Sequence, residues 1–520
     1  MKAKPKLIRG LSLGLVLLML LASAVACKND NEDPSGDSQS ADQTESQSTN
    51  DVVETTPDTA GTDEKTNYAP EATRYDRTVT IAAEARDIRW INQFVAEEAD
   101  TTDSVEYALY ARQMLMKENH GVELVLNEEG SKLYTNFNTA YGAGQAYADM
   151  VFLKATDNMA AAQNGALCNL LAMPELNLDA SYWDQRIQEE YRIGNRLFAL
   201  EGDITTVDEM IAMVVLYNDN VYDESGYYEK YGTPYEMVAN KEWTFENMLL
   251  MARPIAADDD GTTGMTEDDT WGIVSEVNAP YYMFIGSGRK VTSNTNGTLK
   301  SIATDESARA TLINILQDVM KLATENSKFV IADRDWTGDV WSTASDVFAE
   351  DRALFRHTSL SAAYRLNNME GKFGLLPVPM YDDTQDGYYC WMNATEQYPL
   401  AIPSTVADKS EVAEIAEAYA YYSRYAKNSF YSAFFDKMAA QKFCQSADDI
   451  AMLQLIMESK TYDIDSAMSS SDYKAVRALV ASLVKGNKTG NLSSELGSKF
   501  DTMDTAIMNL VLNVNKNAKD

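Results

Sequence analysis

Five tryptophans, Trp90, Trp271, Trp336, Trp341 and Trp391, and four tyrosines, Tyr281, Tyr282, Tyr388 and Tyr389, fall outside the clearest helical stripes of this sequence. Flat rings in such positions suit one chemistry: they stack on the apolar faces of sugar rings while carboxylates and amides hold the hydroxyls. For each ring taken alone, packing in a core is the competing role. Glu84 joins them because it follows Val79, Ile81 and Ala83, whose alternation predicts a strand. A capping or solvated carboxylate is its alternative. His357 and Ser359 follow an apolar, strand-like run, and His357 is expected either to be hydrogen-bonded within the structure or to donate to a solute. The candidate ligand-binding set is Glu84, Trp90, Tyr281, Tyr282, Trp341, His357, Ser359, Tyr389 and Trp391.

Other chemistries find less support. Residues 256–267 (AADDDGTTGMTE) resemble an EF-hand loop: with Gly261 at the sixth position, Asp258, Asp260, Thr262 and Glu267 fall at ligand positions. Ala256 stands where the first ligand belongs, so a polar surface turn is expected, with calcium as the alternative and no other cofactor. Two histidines leave little room for a histidine-based triad or metal site, and no GxSxG motif marks a serine hydrolase. Cys168, Cys390 and Cys444 are widely spaced without a CxxC pair, which excludes a zinc ribbon but leaves open one disulfide or buried thiols. With 79 acidic against 44 basic residues and a formal net charge of −35, the chain would repel nucleic acid. A glycosidase needs only two carboxylates, and acidic pairs are too common here to single any out.

The elements that must position these residues read as α/β. At 520 residues the chain exceeds what one core usually supports. Lys2, Lys4, Lys6 and Arg9, then Leu11 to Leu21, then Ala24-Val25-Ala26-Cys27 follow the plan of an export signal. Residues 27–76 are acidic and polar and predict a disordered tether. Val79–Ala83, Val122–Leu126 and Met150–Leu153 predict strands separated by helices, one starting at Asp103 or Ser104 and ending at His120-Gly121. This order implies parallel pairing, with ligands beyond the carboxyl ends of the strands, at 84–90, 127–132 and 154–157. Helical spacing recurs at Leu312 to Leu322, Val412 to Tyr422 and Ile450 to Met457, the last capped by Ser446 and Asp449.

The position of Cys27 resembles the lipobox of bacterial lipoproteins, with Ala24 where leucine is commoner; cleavage after Ala26 by an ordinary signal peptidase is the alternative. The run Met173 to Asp184, Arg196 to Asp203, Val215 to Asp219, Glu242-Trp243-Thr244, Phe348 to Phe355 and Phe373 to Asp382 resembles the extracellular solute-binding lipoproteins of Gram-positive ATP-driven importers, in the class that includes maltose-binding protein. Tyr182 stands where that family often has tryptophan, and 428–438 and 444–446 lack its usual wording. The resemblance covers about 77–520. It implies a periplasmic-binding-protein-like type II fold of two α/β lobes, each a sheet flanked by helices, joined by several chain crossings. The lobes would comprise 77–205 with 345–400 and 206–344 with 401–520, crossing at 196–203 and 398–404, with 356–359 near the cleft. The implied function is capture of a solute, by family tendency a carbohydrate, between the lobes and delivery to the permease subunits of an ABC transporter. The protein would be a non-enzymatic monomer, lipid-anchored through Cys27 at the outer face of the cell membrane. A surface glycosidase and a binder of peptides or other small solutes are the alternatives.

Overall fold

The computed structural model describes residues 69–518 except 263, 324–328, 367–368, 469–474, 489 and 491. The leader, Cys27 and the acidic segment to residue 68 lie outside the described residues. Ordered contacts begin slightly before 77: Arg74 donates to the Glu118 carbonyl at 2.9 Å, and the Tyr75 N–H donates to the His120 carbonyl at 2.8 Å.

Two sheets organise the chain. In the first, Arg77–Ala83 lies between Val122–Glu128 and Met150–Phe152, both parallel to it, and Leu400–Ala401 adds an antiparallel edge. The connecting helix Ser104–His120 starts where Asp103 accepts the N–H groups of Val105 and Glu106, and stops where Gly121 takes φ 64°, a left-handed conformation that glycine adopts freely. The second sheet has Phe329–Ile331, Trp271–Ser275, Ala353–Ser359, Met213–Asn218 and Phe373–Pro377 in that spatial order. Helices Ala279–Gly286, Glu306–Leu322 and Val340–Ala349 belong to this half, and Ala447–Glu458 packs on Phe373–Pro377, capped by Ser446 as expected. Among the described residues no helix is long and apolar enough to cross a membrane.

Strand pairing corrects the expected division into lobes. Ala353–Ser359 is parallel to Trp271–Ser275 on one side and antiparallel to Met213–Asn218 on the other, so it is locked into the second sheet rather than the first. Phe373–Pro377 follows it there. Conversely, Lys409–Tyr425, expected in the second lobe, packs on helix Ser104–His120 of the first. The two segments expected to cross between lobes lie side by side: Leu200 and Leu400 exchange backbone hydrogen bonds of 3.0 and 2.8 Å.

Near these crossings a buried charge cluster replaces apolar packing. Lys460 Nζ lies 2.6 Å from Asp184, 2.7 Å from Asp208 and 3.8 Å from Glu209, while Arg424 pairs with Asp203 at 3.1 Å. Burial, then the charge of Asp208, pushes the Glu201 and Glu209 carboxyls well up, and burial brings Asp203 to about 7. Burial works against ionised Asp184 too, but the charge of Lys460 holds its carboxyl below the ordinary value. Removing the one lysine would strand several buried carboxylates.

Candidate functional site

Between the hairpin at the rim of the first sheet and the strand ends of the second lies a cavity of about 160 Å³, roughly the size that accepts one six-membered ring. Arg89, Trp90, Glu276, Trp341, Arg356, Thr358, Ser359, Arg365, Asn393 and Glu396 line it, among others. Two features of local folding place its most distinctive side chains.

The first is a two-residue turn. Asp87–Ile88 and Ile91–Asn92 pair antiparallel, leaving Arg89 and Trp90 as the loop, and both have positive φ, 54° and 69°. Left-handed backbone at both central positions marks a type I′ turn, which Asn-Gly adopts with little strain. Arginine and tryptophan do so against a steric penalty, a pattern that clusters at functional sites. The turn projects Arg89 onto Glu396 as an ion pair and leaves Trp90 48% exposed, stacked on Tyr364 at 6.2 Å and 6°. Arg365 lies over the Trp90 ring, 5.5 Å from its centre. Trp341, in helix Val340–Ala349, is 45% exposed on the same cavity.

The second is strand parity. Successive side chains of Ala353–Ser359 point to opposite faces. Arg356 and Thr358 therefore reach the cavity, joined by Ser359 where the strand ends, and His357 turns away onto the Tyr282 ring, 5.0 Å between centres. His357 is 2% exposed, and among the described residues neither ring nitrogen has a hydrogen-bond partner. Burial pushes its pKa down to about 3, so it is neutral. The strand thus directs His357 into the core, away from the cavity where it was expected as a donor to solute.

Of the nine candidate residues the structure brings together three, Trp90, Trp341 and Ser359. Tyr281, Tyr282 and Trp391 are core. Every residue of helix Ala279–Gly286 is buried, and Trp391 packs against both tyrosines, stacked on Tyr282 at 5.2 Å and edge-on to Tyr281 at 5.1 Å. Tyr389 bonds Asp386 at 2.8 Å, away from the cavity lining. Glu84 does sit beyond a strand end, but its oxygens are engaged by Lys154 at 3.0 Å and Tyr398 at 2.7 Å. Trp271 and Trp336 pair edge-on in the second lobe.

Sequence reasoning missed Arg89, Glu276, Arg356, Arg365, Asn393 and Glu396. For Arg356 a signal existed: it shares a strand face with Thr358 and not with His357. Glu276 follows strand Trp271–Ser275, and its carboxyl is raised to about 8 by burial and by Asp333, against the pull of Arg89, Arg356 and Arg477. Arg356 is lowered to about 10 by burial and the like charge of Arg365.

The acidic loop was anticipated with a partly different ligand set. Asp258, Asp260 and Asp269 bring carboxylate oxygens within 4.8 Å of one another. Glu267, placed at a ligand position by the sequence, is exposed and outside this cluster, while Thr262 donates its N–H to Asp260 at 2.7 Å. Buried Asp269 accepts the N–H groups of Asp259, Asp260 and Thr266, so the loop is ordered by its own hydrogen bonds. Cys168, Cys390 and Cys444 are free and buried, with no disulfide among them.

No protein-family model and no curated protein matches the sequence. Among solved structures the chain is similar to a cyclo/maltodextrin-binding protein complexed with maltotetraose, at 12% identity and a TM-score of 0.52, over 85% of this chain and 97% of that one. It is also similar to an ABC substrate-binding protein from Listeria monocytogenes in complex with cycloalternan, at 16% identity and a TM-score of 0.50, over 84% and 98%. These likenesses show the fold: two α/β lobes of the solute-binding type, as the sequence resemblance implied.

Proposed function

We propose that the protein captures a saccharide in the cavity between its lobes and delivers it to an ABC transporter permease. The observation that carries this reading is the pair of half-exposed tryptophans, Trp90 from the first lobe and Trp341 from the second, facing one polar-lined cavity. Exposed indoles supply stacking surfaces, and Thr358, Ser359, Asn393 and Glu276 supply hydroxyl partners. The similar proteins, seen with maltotetraose and cycloalternan, support a sugar ligand. Ligand contacts with both lobes stabilise the closed form, and a gap of a few kcal/mol suffices for ligand to shift the population. Export and acylation at Cys27 would hold the protein at the outer face of the membrane, working as a monomer without a metal or other cofactor in the binding step.

A glycosidase reading would take Glu276, with its raised pKa, as the acid. Its natural partner in the cavity, Glu396, is engaged by Arg89, so no free carboxylate pair faces the ligand space. A thermal-shift screen of the full chain against mono- and oligosaccharides, peptides and calcium tests the proposal. Ligand at about 100 times its Kd adds roughly 2.7 kcal/mol of stability. Stabilisation by a sugar recovered intact supports it; a cleaved sugar, or stabilisation by peptides alone, overturns it.

A further inference from the structure

The cavity is chemically asymmetric in a way that neutral sugar binding does not require. In a chain with 79 acidic and 44 basic residues, most partly buried cations have found carboxylates: Arg77 meets Asp149 and Glu411, Arg424 meets Asp203, and Lys460 meets three acids. Buried Arg356 has not, and neither has Arg365, whose exposed side chain reaches the same cavity. Arg356, 5% exposed, donates to Ser345 Oγ at 2.8 Å, and Arg365 donates to Ser342 Oγ at 2.8 Å. Among the described residues both pair with serine hydroxyls rather than with a carboxylate, and both line the cavity.

A comparison within the same molecule shows what a purely structural buried arginine looks like. Arg112 is 1% exposed and also lacks a carboxylate, but it is surrounded by the carbonyls of Gln93, Phe94 and Ile204 and the hydroxyls of Ser423 and Tyr419. Arg356 has one neutral acceptor and a like-charged neighbour, with Glu276 and Asp346 attracting it only from beyond ion-pair distance. Burying a guanidinium so poorly compensated is unfavourable unless something else completes its coordination.

We propose that the saccharide taken by this cavity is anionic, its carboxylate or sulfate group held between Arg356 and Arg365 while its ring lies against Trp90 and Trp341. The inference rests on the saccharide-binding reading above and narrows its ligand class. Planar guanidinium forks suit both groups, each offering paired oxygens for bidentate hydrogen bonds. Arg365 lies over the Trp90 ring, which places a stacking surface beside the anion site. The two carboxylates of the cavity do not fill this role: Glu396 is paired with Arg89, and Glu276, its carboxyl raised to about 8 chiefly by burial, makes no ion pair with either arginine among the described residues. The net charge of −35 opposes anions at long range, so discrimination must come from the cavity itself.

Calorimetric titration of the full chain with trigalacturonate, a sulfated disaccharide, neutral maltotriose and inorganic sulfate tests this. The expected result is that one acidic saccharide binds at least about tenfold tighter than maltotriose, and that Arg365→Gln weakens it by about tenfold to a hundredfold. Arg365→Lys should recover part of the loss, and both changes should weaken the acidic saccharide by a larger factor than the neutral one. Arg365 is exposed, so these variants keep the fold; Arg356→Met, at a buried site, is read only where its melting temperature matches wild type. Maltotriose binding as tightly as the acidic sugars, unaffected by Arg365→Gln, would overturn the anionic class and leave saccharide capture standing. Inorganic sulfate binding as tightly as the sulfated sugar would show an anion site without ring recognition and also overturn it. No binding by any saccharide would overturn both readings.

Discussion

The Arg89-Trp90 turn offers a perturbation whose effects on stability and on binding have opposite signs. Replacing the pair by Asn-Gly supplies the residues that a two-residue hairpin with positive φ at both positions prefers. Relief of two left-handed non-glycine residues contributes about 1–2 kcal/mol each. Against this stand the Arg89–Glu396 ion pair, worth about 0–1 kcal/mol at partial exposure, and the Trp90–Tyr364 stack, about 0.5–1.5 kcal/mol. The added backbone entropy of glycine offsets a further 0.5–1 kcal/mol or so. The balance centres on a gain of about 1 kcal/mol. Saccharide affinity moves the other way, by at least about tenfold, because the first lobe loses its stacking ring. Urea unfolding reads the first quantity and calorimetric titration the second. A double variant destabilised by more than about 2 kcal/mol would show that the two side chains hold the fold together. One with unchanged affinity would show that the turn was not shaped for ligand.

Trp391→Ala should cost about 3–5 kcal/mol by leaving a cavity in the core, whereas Trp341→Ala should stay within about 1 kcal/mol, and urea unfolding separates the two. Tyr282→Phe should be neutral or slightly stabilising, since the buried hydroxyl has no partner to lose; a loss above about 1 kcal/mol would reveal a bound water or other acceptor. His357 is depressed to about 3 in the fold against 6.5 when free, so the unfolded chain takes up the proton first as pH falls. Stability from this residue is complete above about pH 6.5 and falls by about 2 kcal/mol at pH 5; in His357→Leu that fraction of the acid sensitivity should vanish. Lys460→Met should lose about 3–5 kcal/mol at pH 8 and less at pH 5, because the stranded carboxylates become neutral as pH falls; a pH-independent loss would contradict the charge-cluster account.

The first sheet was legible because each of its parallel strands carries its own pattern: Val79 and Ile81 alternate, Val122 and Leu124 alternate, and Met150–Phe152 is uniformly apolar. The division into lobes was not, because Ala353–Ser359 chooses its partners by pairings more than 130 residues away, with Met213–Asn218, which periodicity cannot encode. Within the site, Trp90 and Trp341 were found as aromatics outside helical stripes, but the same criterion admitted Trp391, Tyr281 and Tyr282, whose burial depends on a helix enclosed on every side. His357 was preferred to Arg356 on chemistry, while the geometry follows strand parity. The turn that aims Trp90 was invisible because Arg-Trp lacks the Asn-Gly signature.

The claim that both lobes grip one saccharide through Trp90 and Trp341 is tested most directly by titrating maltotriose and trigalacturonate into wild type, Trp90→Ala and Trp341→Ala with the melting temperatures matched. The account predicts that wild type binds at least one of the two and that each substitution weakens it by about tenfold or more. Unchanged affinity in both variants, or no binding by wild type, would contradict it.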